Sequence, residues 1–170
     1  MDRIIGIDYG RKRTGLAVSD PLGIFASALD TVHSANIIDY IKKYAENESV
    51  VRFVVGYPRN LDGAPSEAAS DVDAFLKLLA KSFPDTPIDL EDERFTSVLA
   101  HQAMVDGGMK ASRRRDKEEV DKISAAIILQ GWLDRRSGGV GTSFAANMDS
   151  IPDNLSASRG RSSRNKKRGR

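Results

Sequence analysis

Arg3-Ile4-Ile5-Gly6-Ile7-Asp8-Tyr9-Gly10, then Arg11-Lys12-Arg13, then Thr14-Gly15-Leu16-Ala17-Val18-Ser19-Asp20 open the chain as two apolar runs around a short basic turn. Glycine and charge between two such runs predict a β-hairpin. Ile5 and Ile7 alternate with Ile4 and Gly6, so the first strand is apolar on both faces and belongs in the middle of a sheet. Asp8 lies near its end. A carboxylate there is costly unless it is solvated, paired or bound to a metal, although a short acid can also simply fix a turn.

Outward from the hairpin, the 170 residues suffice for one domain with a true core. There is no cysteine, which excludes a disulfide framework and thiolate metal sites. No apolar run approaches a membrane span and no signal-peptide pattern opens the chain, so a cytoplasmic protein is the expectation. The formal charge of +2 conceals an asymmetry, since Ser137 to Arg170 holds seven Lys or Arg against two Asp. The tail is therefore basic and the remainder mildly acidic. Residues 137–170, rich in Gly, Ser, Asn and Arg, read as a disordered basic tail with affinity for phosphate backbones. Residues 1–136 read as the folded domain.

Within that domain, Ile24 to Val32 predicts a third strand, which makes an antiparallel meander with the hairpin. Apolar residues at helical spacing predict a helix from Ala35 to Asn47, capped by Ser34 or Asn36. Val50 to Gly56 is a buried strand. It leads into a Gly56-to-Gly63 loop at a strand end, where α/β folds usually place their sites. A second helix spans Pro65 to Phe83, and a short strand rich in acids spans Ile88 to Arg94. A short helix is expected from Thr96 to Asp106, followed by a basic segment with Arg113, Arg114 and Arg115. The last helix runs from Lys117 to Arg135 with Val120, Ile123, Ala126 or Ile127, and Gln130 to Leu133 on its apolar side. Asp121 falls at the edge of that stripe, on a face with Ser124, Ala125 and Ile128. The order gives an α/β fold with a mixed five-stranded sheet.

Asp8, Glu93 and Asp121 then stand at the ends of the first strand, the last strand and on the final helix. Three carboxylates meeting at one point repel unless a hard dication joins them, and Mg²⁺ or Mn²⁺ suits an all-oxygen shell. His33 and His101 have no partner at ligand spacing and are expected at the surface. Trp132 is expected in the core, and Asp20 in a turn.

Four separated motifs sharpen this reading: Gly6-Ile7-Asp8-Tyr9-Gly10 with Thr14-Gly15-Leu16-Ala17-Val18; Gly56-Tyr57-Pro58 through Asp62-Gly63; Asp92-Glu93-Arg94-Phe95-Thr96-Ser97; and Lys117-Glu118-Glu119-Val120-Asp121 through Leu129. In this order they resemble the YqgF/RuvX family of the ribonuclease H-like superfamily, whose members are described as pre-16S rRNA nucleases or Holliday junction resolvase-like proteins. The resemblance spans Arg3 to Leu133. It implies a ribonuclease H-like sheet and a metal-dependent nuclease, with Asp8, Glu93 and Asp121 as catalytic metal ligands and Mg²⁺ or Mn²⁺ as cofactor. Arg59, Arg94, Arg113, Arg114, Arg115, Lys117 and Lys122 become candidates for nucleic-acid contacts, beside the alternative that they are a solvated face or, for Arg94, a plain salt bridge. Precursor rRNA is the favoured partner and branched DNA the alternative. A junction resolvase would need a dimer for paired cuts, whereas rRNA processing needs only a monomer or weak homodimer. A non-catalytic rRNA-binding assembly factor is the competing class. An actin-like ATPase or sugar kinase shares the Asp-x-Gly hairpin, but it would need a second domain for which the chain has no room.

Overall fold

The computed structural model describes residues 1–60, 66–93 and 116–137. Its elements are β1 (Asp2–Tyr9), β2 (Arg13–Ser19), β3 (Ala26–His33), α1 (Ile37–Ala45), β4 (Ser49–Tyr57), α2 (Ala69–Ser82), β5 (Ile88–Asp92) and α3 (Lys117–Arg136). The strand order is β3-β2-β1-β4-β5. β2 pairs antiparallel with both β1 and β3, while β4 is parallel to β1 and to β5. The expected mixed five-stranded sheet is therefore present, with β1 at its centre.

Alternation along the strands divides the interior in two. Ile5, Ile7, Leu16, Phe53, Val55 and Tyr57 meet Ile37 and Ile41 of α1 and Val72, Phe75, Leu76 and Leu79 of α2. Tyr9 stacks on Phe75 with ring centroids 4.3 Å apart, and Phe83 meets Phe53 edge-on. On the other face, Ala17 and Val54 meet Ala125, Ile128, Leu129 and Leu133 of α3. Gly6, Gly15 and Gly56 pave the same face, because atoms of α3 lie where each of their side chains would begin.

This paving explains why α3 buries only the last part of the expected stripe and turns a neighbouring face inward. Ser124, Ala125, Ile128, Leu129 and Leu133 are buried, while Val120, Ile123, Ala126 and Ile127 are only half-buried. A sheet face of glycine and alanine admits the helix backbone closely, so small residues pack inward. Asp121 shares this inward side. The helix starts at Asp116, whose carboxylate accepts a hydrogen bond from the Glu118 amide at 3.0 Å. Its far end is tied to β5 by an ion pair between Arg135 and the buried Glu91. Trp132 packs at the margin of the α3 core, between the guanidinium groups of Arg52 and Arg136.

Several boundaries differ from the sequence-based expectation. β3 begins at Ala26 rather than Ile24. Asp20 Oδ1 accepts from the Ile24 and Phe25 amides at 2.6 and 2.8 Å, which bends these two apolar residues into an exposed turn. Gly23, with φ of 66°, completes the turn in the left-handed region. At the start of β3, Gln130 of α3 acts on this edge of the sheet: its Oε1 accepts from the Ala26 amide at 2.8 Å and its Nε2 donates to the Ile24 carbonyl at 3.0 Å. Neither Ser34 nor Asn36 caps α1 through its side chain. A 3-10 turn, Ser34–Asn36, precedes the helix, and His33 caps that turn by accepting from the Ala35 amide. α2 begins at Ala69 rather than Pro65, and β5 ends at Asp92 rather than Arg94. The helix expected over Thr96 to Asp106, His101 and the basic tail lie outside the described residues.

Candidate carboxylate site

Asp8 is the penultimate residue of the central strand and points to the α3 face, two positions beyond Gly6. Its register partner on β2 is Gly15. On β4, Gly56 follows Val55, the partner of Ile7. Both glycines leave space that functional groups fill. A Cβ at Gly15 would run into the backbone carbonyl of Asp121, and one at Gly56 would run into the Glu93 carboxylate and Ile128. The close approach of α3 to Gly15 thus carries Asp121 to the neighbourhood of Asp8. Gly56 lets Glu93, held at the end of β5 by its amide bond to the Tyr57 carbonyl at 3.2 Å, fold across β4 toward the same point.

Asp8 and Glu93 share a hydrogen bond and are both half-buried. Burial pushes the Asp8 carboxyl up to about 6, helped by the Asp121 charge and opposed by the Glu93 hydrogen bond. Burial pushes Glu93 further, to about 8, with the Asp8 charge and hydrogen bond adding to it. Both carboxyls are raised, and the two titrate as a pair. Asp121 contributes its charge to this cluster, but its Oδ2 accepts from Arg13 Nε at 3.0 Å. Arg13 and Asp121 are half-exposed, so the pair lies at the rim of the carboxylate cluster. Among the described residues no three acidic or histidine side chains form a ready-made metal shell.

The structure therefore brings Asp8 and Glu93 into contact and sets Asp121 beside them, turned to Arg13. The candidate nucleic-acid residues are more scattered. Arg59 lies over the Tyr57 ring at 5.5 Å, and Tyr57 in turn donates its hydroxyl to Asp73 at 3.1 Å. Lys117 is exposed at the first turn of α3. Lys122 is paired with Glu119 one turn away at 2.9 Å. Arg94, Arg113, Arg114 and Arg115 lie outside the described residues. Asp20 serves its turn, and its amide hydrogen bonds hold its carboxyl below the usual carboxylate range.

The sequence reading missed Arg13 and the seats made by Gly15 and Gly56. An arginine within Arg11-Lys12-Arg13 reads as solvated charge, and a strand glycine reveals nothing of what fills its place. The visible signal was the pair of glycines in strands that flank an acid-bearing strand.

Comparison with known proteins adds relatives to this geometry. The family model RuvX, described as Holliday junction resolvase, matches residues 2–135. A protein of Phocaeicola vulgatus named "Putative pre-16S rRNA nuclease" is 50% identical over 136 residues, covering 80% of this chain and 98% of its own length. A Christiangramia forsetii protein of the same name is 50% identical over 133 residues, covering 78% and 98%. Among solved structures, Thermus thermophilus RuvC in complex with a Holliday junction substrate aligns with a TM-score of 0.51 at 19% identity, covering 81% of this chain and 97% of that one. The fowlpox virus resolvase, also solved with junction DNA, aligns with a TM-score of 0.51 at 10% identity, covering 80% and 99%. These two likenesses establish the ribonuclease H-like fold.

Proposed function

The chain belongs to the RuvX family, and from that premise we propose that it is a divalent-metal-dependent nuclease that hydrolyses phosphodiester bonds in precursor rRNA, at the 5′ end of pre-16S rRNA. The observation that carries the reading is the half-buried, hydrogen-bonded Asp8–Glu93 pair. A nuclease site must present anionic oxygens to a cation while holding them away from water. Here two carboxylates meet closely enough to share a hydrogen bond, and partial burial raises both, which a cation would reverse. The donor set is all oxygen, which suits Mg²⁺ or Mn²⁺. Asp8 and Glu93 would hold the ion, with Asp121 as the third ligand. When bound, the ion supplies charge neutralisation and a water acidified enough to attack phosphorus.

The chain's own residues prepare the rest. Asp8 sits near the end of the central strand, which pairs on both sides, and is itself in register with Gly15 of β2. The Asp8–Glu93 pair, with both carboxyls raised, must give up protons to bind a cation, so metal uptake strengthens as pH rises. Lys117, Lys122, Arg59, Arg94 and Arg113 to Arg115 are proposed to line the path of the nucleic-acid backbone, with the basic tail adding salt-sensitive affinity. A monomer or weak homodimer working in the cytoplasm meets the needs of rRNA trimming. Among the described residues no helix is long and apolar enough to cross a membrane.

The test is incubation with Mn²⁺ or Mg²⁺ and three labelled substrates: single-stranded RNA, a precursor rRNA 5′ leader and a four-way DNA junction. Cleavage of the leader that is lost in EDTA and in Asp8→Asn is the expected result. Preference for the junction would replace the rRNA assignment with a resolvase. Equal binding by both proteins without cleavage would move the reading to an assembly factor.

A further inference from the structure

The basic turn of the first hairpin holds two arginines in opposite situations. Arg11 directs both its Nε and its Nη2 to Asp71 of α2, at 3.1 and 2.9 Å. Arg13 spends only its Nε, on Asp121, and its two terminal nitrogens make no hydrogen bond among the described residues. Four of its five N–H donors thus remain for a second anion, in the planar fork that fits a phosphate. The turn that aims it is clamped from beneath. The buried Ser34 donates its hydroxyl to the Gly10 carbonyl at 2.5 Å and its amide to the Lys12 carbonyl at 3.0 Å, and its hydroxyl lies 2.9 Å from that of the buried Thr14. The Gly10 amide closes the turn on the Arg13 carbonyl at 3.0 Å.

We infer that Arg13 is a substrate-binding residue: Asp121 holds it through Nε at the rim of the carboxylate site, and its terminal nitrogens grip a phosphate of the nucleic acid beside the bond to be cut. Held by an acid of the cluster itself, Arg13 has its reach set against Asp8 and Glu93, so a bound phosphate is registered to the site rather than merely attracted to the surface. The neighbouring Arg11, held by two hydrogen bonds to Asp71 of α2 rather than to an acid of the cluster, is a built-in control. The inference rests on the nuclease reading only in taking nucleic acid as the ligand.

The test measures binding of a labelled single-stranded RNA in EDTA, where cleavage plays no part, across a salt series. Arg13→Gln is expected to weaken binding about three- to tenfold at low salt and to lower the slope of log affinity against log salt by about 0.7, the loss of one single-strand phosphate contact. Arg13→Lys should recover part of the slope, and Arg11→Gln should stay within about twofold of the wild type. Thermal melts should be alike for all variants, since the backbone clamp does not use the Arg13 side chain. An unchanged slope in Arg13→Gln, or an equal loss in Arg11→Gln, would overturn the assignment. Weaker Mn²⁺ binding by Arg13→Gln with RNA binding intact would reduce Arg13 to an orienting partner of Asp121, and would overturn it too. If the wild type itself binds no nucleic acid, the nuclease reading falls as well, which separates the two failures.

Discussion

The two faces of the sheet are made from alternate residues of the same strands, yet they are built on opposite plans. Toward α1 and α2 the strands project Ile5, Ile7, Leu16, Phe53, Val55 and Tyr57, a dense layer of large side chains. Toward α3 the same strands project Gly6, Asp8, Gly15, Ala17, Val54 and Gly56, and what fills the space is a helix backbone and carboxylates. The contrast shows how a strand period of two lets one element serve two ends: one residue is given to burial and the next to chemistry. Large side chains make stability cheap on the first face. On the second, the missing side chains make room for groups that burial alone would reject.

Four substitutions or conditions would break or sharpen this contrast. The largest effect on chemistry is expected from Asp8→Asn, with cleavage falling by about 10³-fold or more, while the metal-free protein melts at a higher temperature than the wild type because a buried, repelled charge is gone. If the variant melted lower, the α3 face would be contributing to stability in its own right and the division would fail. Next, Phe53→Ala on the opposite face, at a fully buried position, should cost about 3–5 kcal/mol in a denaturant titration but leave cleavage per folded molecule unchanged. Gly15→Ala follows. Its methyl must push α3 away at Asp121, and a shift of that order should lower turnover about 10²-fold with a smaller loss of stability than Phe53→Ala.

The smallest effect is that of pH on the metal-free protein. Asp8 and Glu93 are both raised by burial above their unfolded values of about 4, so the folded state binds more protons than the unfolded one. Their contribution to stability is then fully present at low pH and is lost as pH rises toward the folded values of about 6 and about 8. Melting in EDTA should fall steadily from pH 5 to pH 8, and Asp8→Asn should flatten that slope. An identical slope in the variant would mean that other groups set the pH dependence.

Much of this plan is legible in the sequence, and the unread remainder has physical causes. The meander, the central place of β1 and the gathering of Asp8 with Glu93 follow from alternation and from acids stationed at strand ends. The orientation of α3 does not. Its most apolar stripe contains Val120, Ile123 and Ile127, but a helix turns toward the surface that admits it, and the glycine-paved sheet admits Ser124 and Ala125 more closely. Ile24 and Phe25 have strong strand character, yet one Asp20 oxygen holding two amides outweighs it. In the sequence Gly56 marks only the start of a loop at a strand end. Its observed role, to leave a berth for Glu93, depends on a residue more than thirty positions away, which local reading cannot weigh.

Gln130 has a consequence beyond packing. β3 is an edge of the sheet of described residues, and the turn before it exposes Leu22, Ile24 and Phe25. An open edge beside an apolar tip is a template on which another chain can add a strand and begin to aggregate. By taking the amide of Ala26 and the carbonyl of Ile24 with a single side-chain amide, Gln130 imitates one rung of the missing strand and occupies the place where such growth would start. The helix that carries a carboxylate of the candidate site at one end thus closes, two turns further on, one rung of an otherwise open sheet edge.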